Sequence, residues 1–276
     1  MPAWFAVIVL GVIEGITEFL PISSTGHLLL LENYHWLPQQ TDLFNITIQS
    51  GAAVAVLLVF STRVRDLLLR LDDPVTRNYL LKLVLAFVIT GVGGLLIKKL
   101  GFKLPKDTAP IAWATLVGGI VILVIEQALR SREQALRGRE QALGGLSLGS
   151  HVTWTIAVAV GLAQLLAAVF PGTSRSAATI LIALALGLSR PAATEFSFLV
   201  GVPTLLAAGA LETYQALRHP GAVATDWALL ALGTLVSAVT AFLVVRWLLR
   251  WIQTHSFAAF GWYRIALGLA MFIRLA

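Results

Sequence analysis

No cysteine occurs in the 276 residues, which excludes disulfides, thiolate metal sites and a cysteine nucleophile and leaves the redox compartment undetermined. Charge is scarce as well. Charged residues make up 12% of the chain and hydrophobic ones 58%, with a mean hydropathy of +0.84, a composition that does not fit water. Strict apolar–polar alternation is missing, so a membrane β-barrel is excluded. No basic segment precedes the first apolar stretch, and Glu14 and Glu18 interrupt it, so it does not read as a cleavable signal peptide. The net charge of +6 comes without a nucleic-acid motif or a basic stripe. Nucleic acid is therefore not an expected partner, and the basic loops of such a chain record orientation and contact with anionic membrane lipids.

What is present is a series of apolar runs. Phe44–Phe60, Leu80–Ile97, Ala109–Ile125, Ala192–Leu211, Trp227–Val245 and Phe257–Ile273 approach the roughly 20 residues that cross about 30 Å of hydrocarbon as a helix. Two further stretches are broken. Pro2–Leu20 stops at Pro21, and after Ser23-Ser24-Thr25-Gly26-His27 only Leu28–Leu31 remains apolar before Glu32. Val152–Phe170 stops at Pro171, and after Gly172-Thr173-Ser174-Arg175-Ser176 comes the short run Ala177–Leu188. Such pieces are too short to cross, and polar backbone at membrane depth is tolerated only inside protein or beside a watery cavity. Both stretches are expected to be re-entrant helix–loop–helix hairpins.

The order is then a hairpin and three spans, twice, which is an internal repeat. Gly11, Glu14 and Pro21 share their spacing with Gly161, Gln164 and Pro171, and the loops align Ser23-Ser24-Thr25 with Thr173-Ser174-Arg175. Three crossings per copy invert the second copy relative to the first, an arrangement that puts shared sites near the midplane. The expected fold is an all-α polytopic membrane protein, an inverted-topology repeat with six transmembrane helices and two re-entrant hairpins. It forms a single membrane domain over 1–276, divided into a first repeat at 1–126, an Arg-rich linker at 127–149 and a second repeat at 150–276.

Twelve basic residues fall on one side: Arg63, Arg65, Arg70, Arg77, Lys82, Arg130, Arg132, Arg137, Arg139, Arg190, Arg246 and Arg250. Six fall on the other: Lys98, Lys99, Lys103, Lys106, Arg218 and Arg274. The richer side is assigned to the cytoplasm, with the first hairpin mouth and Ala276 outward. The sevenfold-spaced tandem tract from Glu126 onward reads as a helical, solvated cytoplasmic extension.

Charged residues within membrane segments cost a few kcal/mol each and mark functional positions by default. Glu14 and Glu18 lie four apart on one helix face, where Gly11 and Gly15 let a neighbour approach. Paired carboxylates serve as general acid and base, or hold a hard cation such as Mg²⁺ or Ca²⁺. Ser23, Ser24 and Thr25, followed by Gly26, sit at a short helix start that suits a phosphate, and any of the hydroxyls is a potential nucleophile beside a base. His27 gains weight from that company. Arg175, flanked by Thr173, Ser174 and Ser176, needs an anion at membrane depth and is suited to bidentate phosphate binding. Glu195 and Arg264 are also embedded and are expected to form inter-helix pairs or to snorkel to the interface. Polar chemistry in an apolar bundle implies a substrate with a polar head and a lipid tail.

The runs Glu14-Gly-Ile-Thr-Glu18-Phe-Leu-Pro21-Ile-Ser-Ser-Thr-Gly-His27 and Pro171-Gly-Thr-Ser-Arg175-Ser resemble the two signature motifs of the bacterial undecaprenyl-diphosphate phosphatases, also called bacitracin-resistance proteins. Phe44, Gln49-Ser-Gly51 and Glu195-Phe-Ser-Phe-Leu with Pro203 extend the similarity over nearly the full length. The resemblance implies hydrolysis of undecaprenyl diphosphate to the monophosphate at the outer face of the bacterial cytoplasmic membrane, recycling the lipid carrier for peptidoglycan. It also implies roles: Glu14 and Glu18 as the acidic pair, Ser24 as candidate nucleophile, His27 as acid/base residue and Arg175 as phosphate clamp. The chain departs from the pattern at Ala177, where the family usually has glycine, and by an apparent one-residue lengthening between Gln164 and Pro171.

A competing expectation is a secondary transporter or polyprenyl-lipid flippase, since inverted repeats with broken helices are common there. The asymmetry between the loops speaks against it: Glu14, Glu18 and His27 in the first stand against Gln164 and Ala177 in the second. The oligomeric state stays open, a homo-oligomer included.

Overall fold

The computed structural model describes residues 2–101, 107–142, 151–218 and 225–275, and side chains throughout these except at 131–142 and 274–275. Lys103, Lys106 and Ala276, and the side chains of Arg132, Arg137, Arg139 and Arg274, lie outside the described residues. Among the described residues every regular element is a helix: α1 (Ala3–Thr17), α2 (Ser24–Asn33), α3 (Asp42–Val59), α4 (Ser61–Leu69), α5 (Pro74–Lys99), α6 (Thr108–Ala142), α7 (Trp154–Val169), α8 (Arg175–Ala185), α9 (Arg190–Arg218), α10 (Trp227–Trp251) and α11 (Ala258–Leu275). Five are long and apolar enough to cross a membrane: α3, α5, α6 over Thr108–Arg130, α9 and α10. The apolar helices α1, α7, α8 and the Ala258–Ile273 part of α11 are shorter. The backbone of the linker tract is helical as far as Ala142.

Polar caps begin the long helices where the chain enters apolar surroundings. Thr41 accepts from the Phe44 N–H at the start of α3, and Asp226 accepts from the N–H groups of Ala228 and Leu229 at the start of α10. Asp73 caps α5 through Val75 and Thr76, with Pro74 in the first turn where its missing N–H costs nothing.

The two breaks have local causes. Pro21 has no N–H, and its ring collides with the carbonyl four residues back, that of Thr17, where α1 ends. Pro171 drives the preceding Phe170 out of the helical region, to φ −113° and ψ 91°, and α7 ends at Val169. Neither break loops into open solvent. Phe19, Leu20 and Ile22 join the main core with Ala177, Ile180 and Phe198, and the Phe19 and Phe198 rings meet edge to face at 4.9 Å.

Ser23 at φ 73° and Ser174 at φ 69° then turn the chain into α2 and α8, their hydroxyls accepting from the N–H groups of Gly26 and Ala177. A non-glycine residue held at positive φ costs about 1–3 kcal/mol and persists only where its surroundings enforce it. These two serines are counterparts, so the expected alignment of Ser24 with Ser174 is off by one. The second loop spends an extra residue between proline and cap, with Gly172 at φ 92°, and Ser24 and Arg175 become equivalent first residues of their helices.

Packing follows the same pairing. α1 lies on α10 as α7 lies on α5, while α3 crosses α9 and α6 crosses α11. Gly11 and Gly15 make the α1–α10 crossing close, since a Cβ at Gly15 would stand 2.6 Å from the Ser237 carbonyl oxygen.

Candidate active site

Both breaks deliver a helix start to one carboxylate. Glu18, the residue closing α1, is 8% exposed; one of its oxygens accepts from the Ser24 hydroxyl and the other from the Arg175 guanidinium. A first-loop hydroxyl and a second-loop cation, 151 residues apart in sequence, are therefore held on a single anion. The N-termini of α2 and α8 come with them, and free N–H groups at such termini favour an anionic ligand.

A cavity of about 270 Å³ opens on this junction, bordered by Glu18, Ser23, Ser24, Thr25, Ser174 and Arg175. Gln49, Thr90, Gln164 and Thr204 add polar groups to its lining. Gln164 donates from one nitrogen to the hydroxyls of Thr90 and Thr204, at 3.1 and 2.9 Å, and its buried oxygen has no donor among the described residues.

Glu14 lies beside Glu18, one turn earlier on the same face of α1, fully buried, and neither of its carboxylate oxygens meets a donor among the described residues. A buried acceptor pair left this way is costly. A proton shared with Glu18, a cation or water would satisfy it.

His27 is not among the residues bordering the cavity. Its Nδ1 lies 2.7 Å from the Ser23 carbonyl, which can only accept, so that nitrogen carries the proton. Nε2 lies 2.6 Å from the Tyr263 hydroxyl, and the two rings stack parallel at 5.7 Å. In the neutral imidazole Nε2 accepts from Tyr263.

Arg264 neither snorkels nor pairs with a carboxylate among the described residues. It is fully buried, and all its hydrogen bonds go to backbone carbonyls: Pro21 of the first loop at 3.3 Å, Gly172 of the second at 2.8 Å, and Ala114 and Thr115 of α6 at 3.1 and 3.2 Å. One guanidinium thus ties both loops to α6 and places a positive charge beneath them. Gly118 makes room for it, because a Cβ there would collide with the guanidinium. Glu195 follows the expected pairing, with Arg63 Nε at 3.0 Å and the Tyr79 hydroxyl at 3.3 Å.

Of the other expected ligand-binding residues, Ser176 donates to the Leu20 carbonyl at 2.8 Å and sits 3.1 Å from the Ser174 hydroxyl, a further tie between the loops. Gly26 and Thr173 stand in the two loops without bordering the cavity. Thr90, Thr204 and Tyr263 escaped sequence reasoning: the two threonines are single hydroxyls in apolar runs, and Tyr263 is an aromatic residue beside the more conspicuous Arg264. Gln49 and Gln164 carried a signal, the first through its family context and the second through its repeat register with Glu14.

A family model described as bacitracin resistance protein BacA matches residues 7–270. An undecaprenyl-diphosphatase of Rhizobium johnstonii is 48% identical over 264 residues, covering 95% of this chain and 94% of its own. One from Xylella fastidiosa is 47% identical over 268 residues, with 97% of each chain covered. One from Xanthomonas oryzae pv. oryzae is 45% identical over 269 residues, covering 97% and 96%.

Proposed function

Because the chain belongs to the bacitracin resistance protein BacA family, we propose that it hydrolyses undecaprenyl diphosphate to undecaprenyl phosphate and inorganic phosphate, recycling a lipid carrier for cell-wall synthesis. The observation that carries the site assignment is the double engagement of Glu18 by Ser24 and Arg175. In the free enzyme that carboxylate neutralises Arg175 and accepts a hydrogen bond from the Ser24 hydroxyl. An arriving diphosphate takes over the Arg175 fork, and the Glu18 oxygen facing Ser24 remains available as a base.

Ser24, or a water in its place, attacks the terminal phosphorus in line. Its proton passes to Glu18, and the P–O bond to the bridging oxygen breaks so that the lipid monophosphate leaves. With serine as nucleophile, water then cleaves the phosphoserine and releases inorganic phosphate. Arg175, the Thr25 hydroxyl and the two helix N-termini stabilise the charge on the transferring group. His27, held between the Ser23 carbonyl and Tyr263, positions the α2 start, while Arg264 holds the loops at their mutual distance.

The acidic pair fits a hard cation in one form only. Among the described residues no three acidic or histidine groups converge, but Glu14 has two donor-free oxygens beside Glu18. Mg²⁺ is commonly held by one or two carboxylates with phosphate oxygens and water completing the shell. When bound there, such an ion would supply charge neutralisation at the diphosphate.

The finer architecture belongs to the same reading: six spans, two re-entrant hairpins and inverted repeats at 1–126 and 150–276, joined by a cytoplasmic linker at 127–149. Supporting it are the matched breaks, the equivalent caps Ser23 and Ser174, and the paired crossings of α1 on α10 and α7 on α5. The protein then resides in the bacterial inner membrane with its site opening to the periplasmic face, as the excess of basic residues at the opposite end favours. Purified protein in detergent, with no membrane potential, should release phosphate from undecaprenyl diphosphate at enzymatic rates. A protein that binds the lipid but releases none would return the flippase or transporter reading.

A further inference from the structure

A second cavity, about 890 Å³, lies at the arginine-rich end of the bundle, where the chain enters α5, α7 and α9. Arg63, Lys82, His151, Asn78 and Glu195 border it, with an apolar floor that includes Val152 and Ala192. Its cations are half-buried and each is anchored by a ring and a hydrogen bond. The Arg63 guanidinium stacks over the Tyr79 ring at 4.4 Å and gives its Nε to Glu195 at 3.0 Å. Among the described residues its two terminal nitrogens donate to nothing, so the planar end is oriented and available. Lys82 donates one of its three protons to the Val152 carbonyl at 2.7 Å and sits 5.4 Å from the centre of the Trp154 ring, which leaves two donors. Two cations share the cavity with one carboxylate, Glu195, and Arg63 and Tyr79 both engage the same oxygen of it.

We propose that this pocket binds the phosphate of an anionic lipid at the end of the bundle away from the Ser24 and Arg175 loops. An oriented guanidinium fork and a second cation match a phosphate mono- or diester. The placement among helix ends, with a tryptophan beneath the lysine and exposed Val75 and Leu81 on the adjoining α5 surface, favours a phosphate that brings an acyl or prenyl tail over a free ion. Two lipids carry that chemistry, a phospholipid such as phosphatidylglycerol and a polyprenyl monophosphate. The inference rests on the membrane reading and is independent of the catalytic one.

The test is native mass spectrometry of the purified full chain in detergent, titrated separately with phosphatidylglycerol, farnesyl monophosphate, phosphatidylcholine and inorganic phosphate. Phosphatidylglycerol, farnesyl monophosphate or both should bind well above phosphatidylcholine, and the lipid whose binding falls in Lys82→Gln identifies the source, since the Ser24 and Arg175 site itself accepts polyprenyl phosphates. Arg63→Gln and Lys82→Gln should each weaken that binding about fivefold, the share of one basic residue near an anionic headgroup. Lys82→Gln leaves the Arg63–Glu195 pair intact and so guards against a folding defect. Phosphate release from undecaprenyl diphosphate should be unchanged in Lys82→Gln. Equal binding by wild type and Lys82→Gln would overturn the site, as would phosphatidylcholine binding as well as the anionic lipids. Inorganic phosphate binding as tightly as either lipid would overturn its assignment to a lipid. Failure of lipid binding with phosphate release intact refutes this pocket alone.

Discussion

Replacing Glu18 by glutamine keeps the side-chain shape and removes the charge on which both loops converge. The wild-type carboxylate accepts from Ser24 on one oxygen and from Arg175 on the other. The amide offers a single acceptor, and its nitrogen must face one of the two donors. Breaking a buried ion pair costs about 3–5 kcal/mol. Arg175 is 21% exposed toward the cavity and can regain water, so the expected loss is nearer about 1–3 kcal/mol, a lowered unfolding temperature in a protein that still folds. The effect on rate should be larger, because the group that accepts the Ser24 proton is gone, a contribution of about 10²–10⁴-fold. Phosphate release and thermal unfolding, measured on the same detergent-purified sample, separate the two effects. A folded Glu18→Gln enzyme with wild-type kcat would refute the assignment of Glu18 as base.

Three further outcomes are expected. Arg175→Lys should keep part of the activity while Arg175→Ala loses nearly all of it, with the loss in kcat as well as KM, since uniform ground-state binding would move KM alone. Gly118→Ala should push the Arg264 guanidinium off its carbonyls at an overpacking cost of about 1–3 kcal/mol and lower kcat; a folded variant with unchanged kcat would detach Arg264 from the site. In this cysteine-free chain, Ser131→Cys should resist an impermeant thiol reagent added to intact spheroplasts, and ready labelling would reverse the proposed orientation.

Much of the site was legible because membrane depth makes polar residues conspicuous. Glu14, Glu18 and Arg175 stand out against apolar neighbours, and proline ended α1 and α7 as backbone chemistry requires. The loop register was harder. Spacing from the prolines aligned Ser24 with Ser174, but positive φ at Ser23 and Ser174 sets the true correspondence, and a backbone twist of that kind leaves no mark in residue identity. Arg264 illustrates a second limit. Its partners are all carbonyls, which every residue possesses, so no complementary side chain in the sequence could point to them. Tyr263 is found only through the fold, because its contact with His27 spans 236 residues.

That both loops act on one phosphate is tested most directly by a double-mutant cycle on kcat/KM for undecaprenyl diphosphate, using Ser24→Ala, Arg175→Ala and the pair together. Groups working on the same transferring phosphoryl are strongly non-additive, so the double variant should fall no further than the poorer single variant. Losses that simply multiply would mean that Ser24 and Arg175 act independently, and the site shared between α2 and α8 would have to be given up.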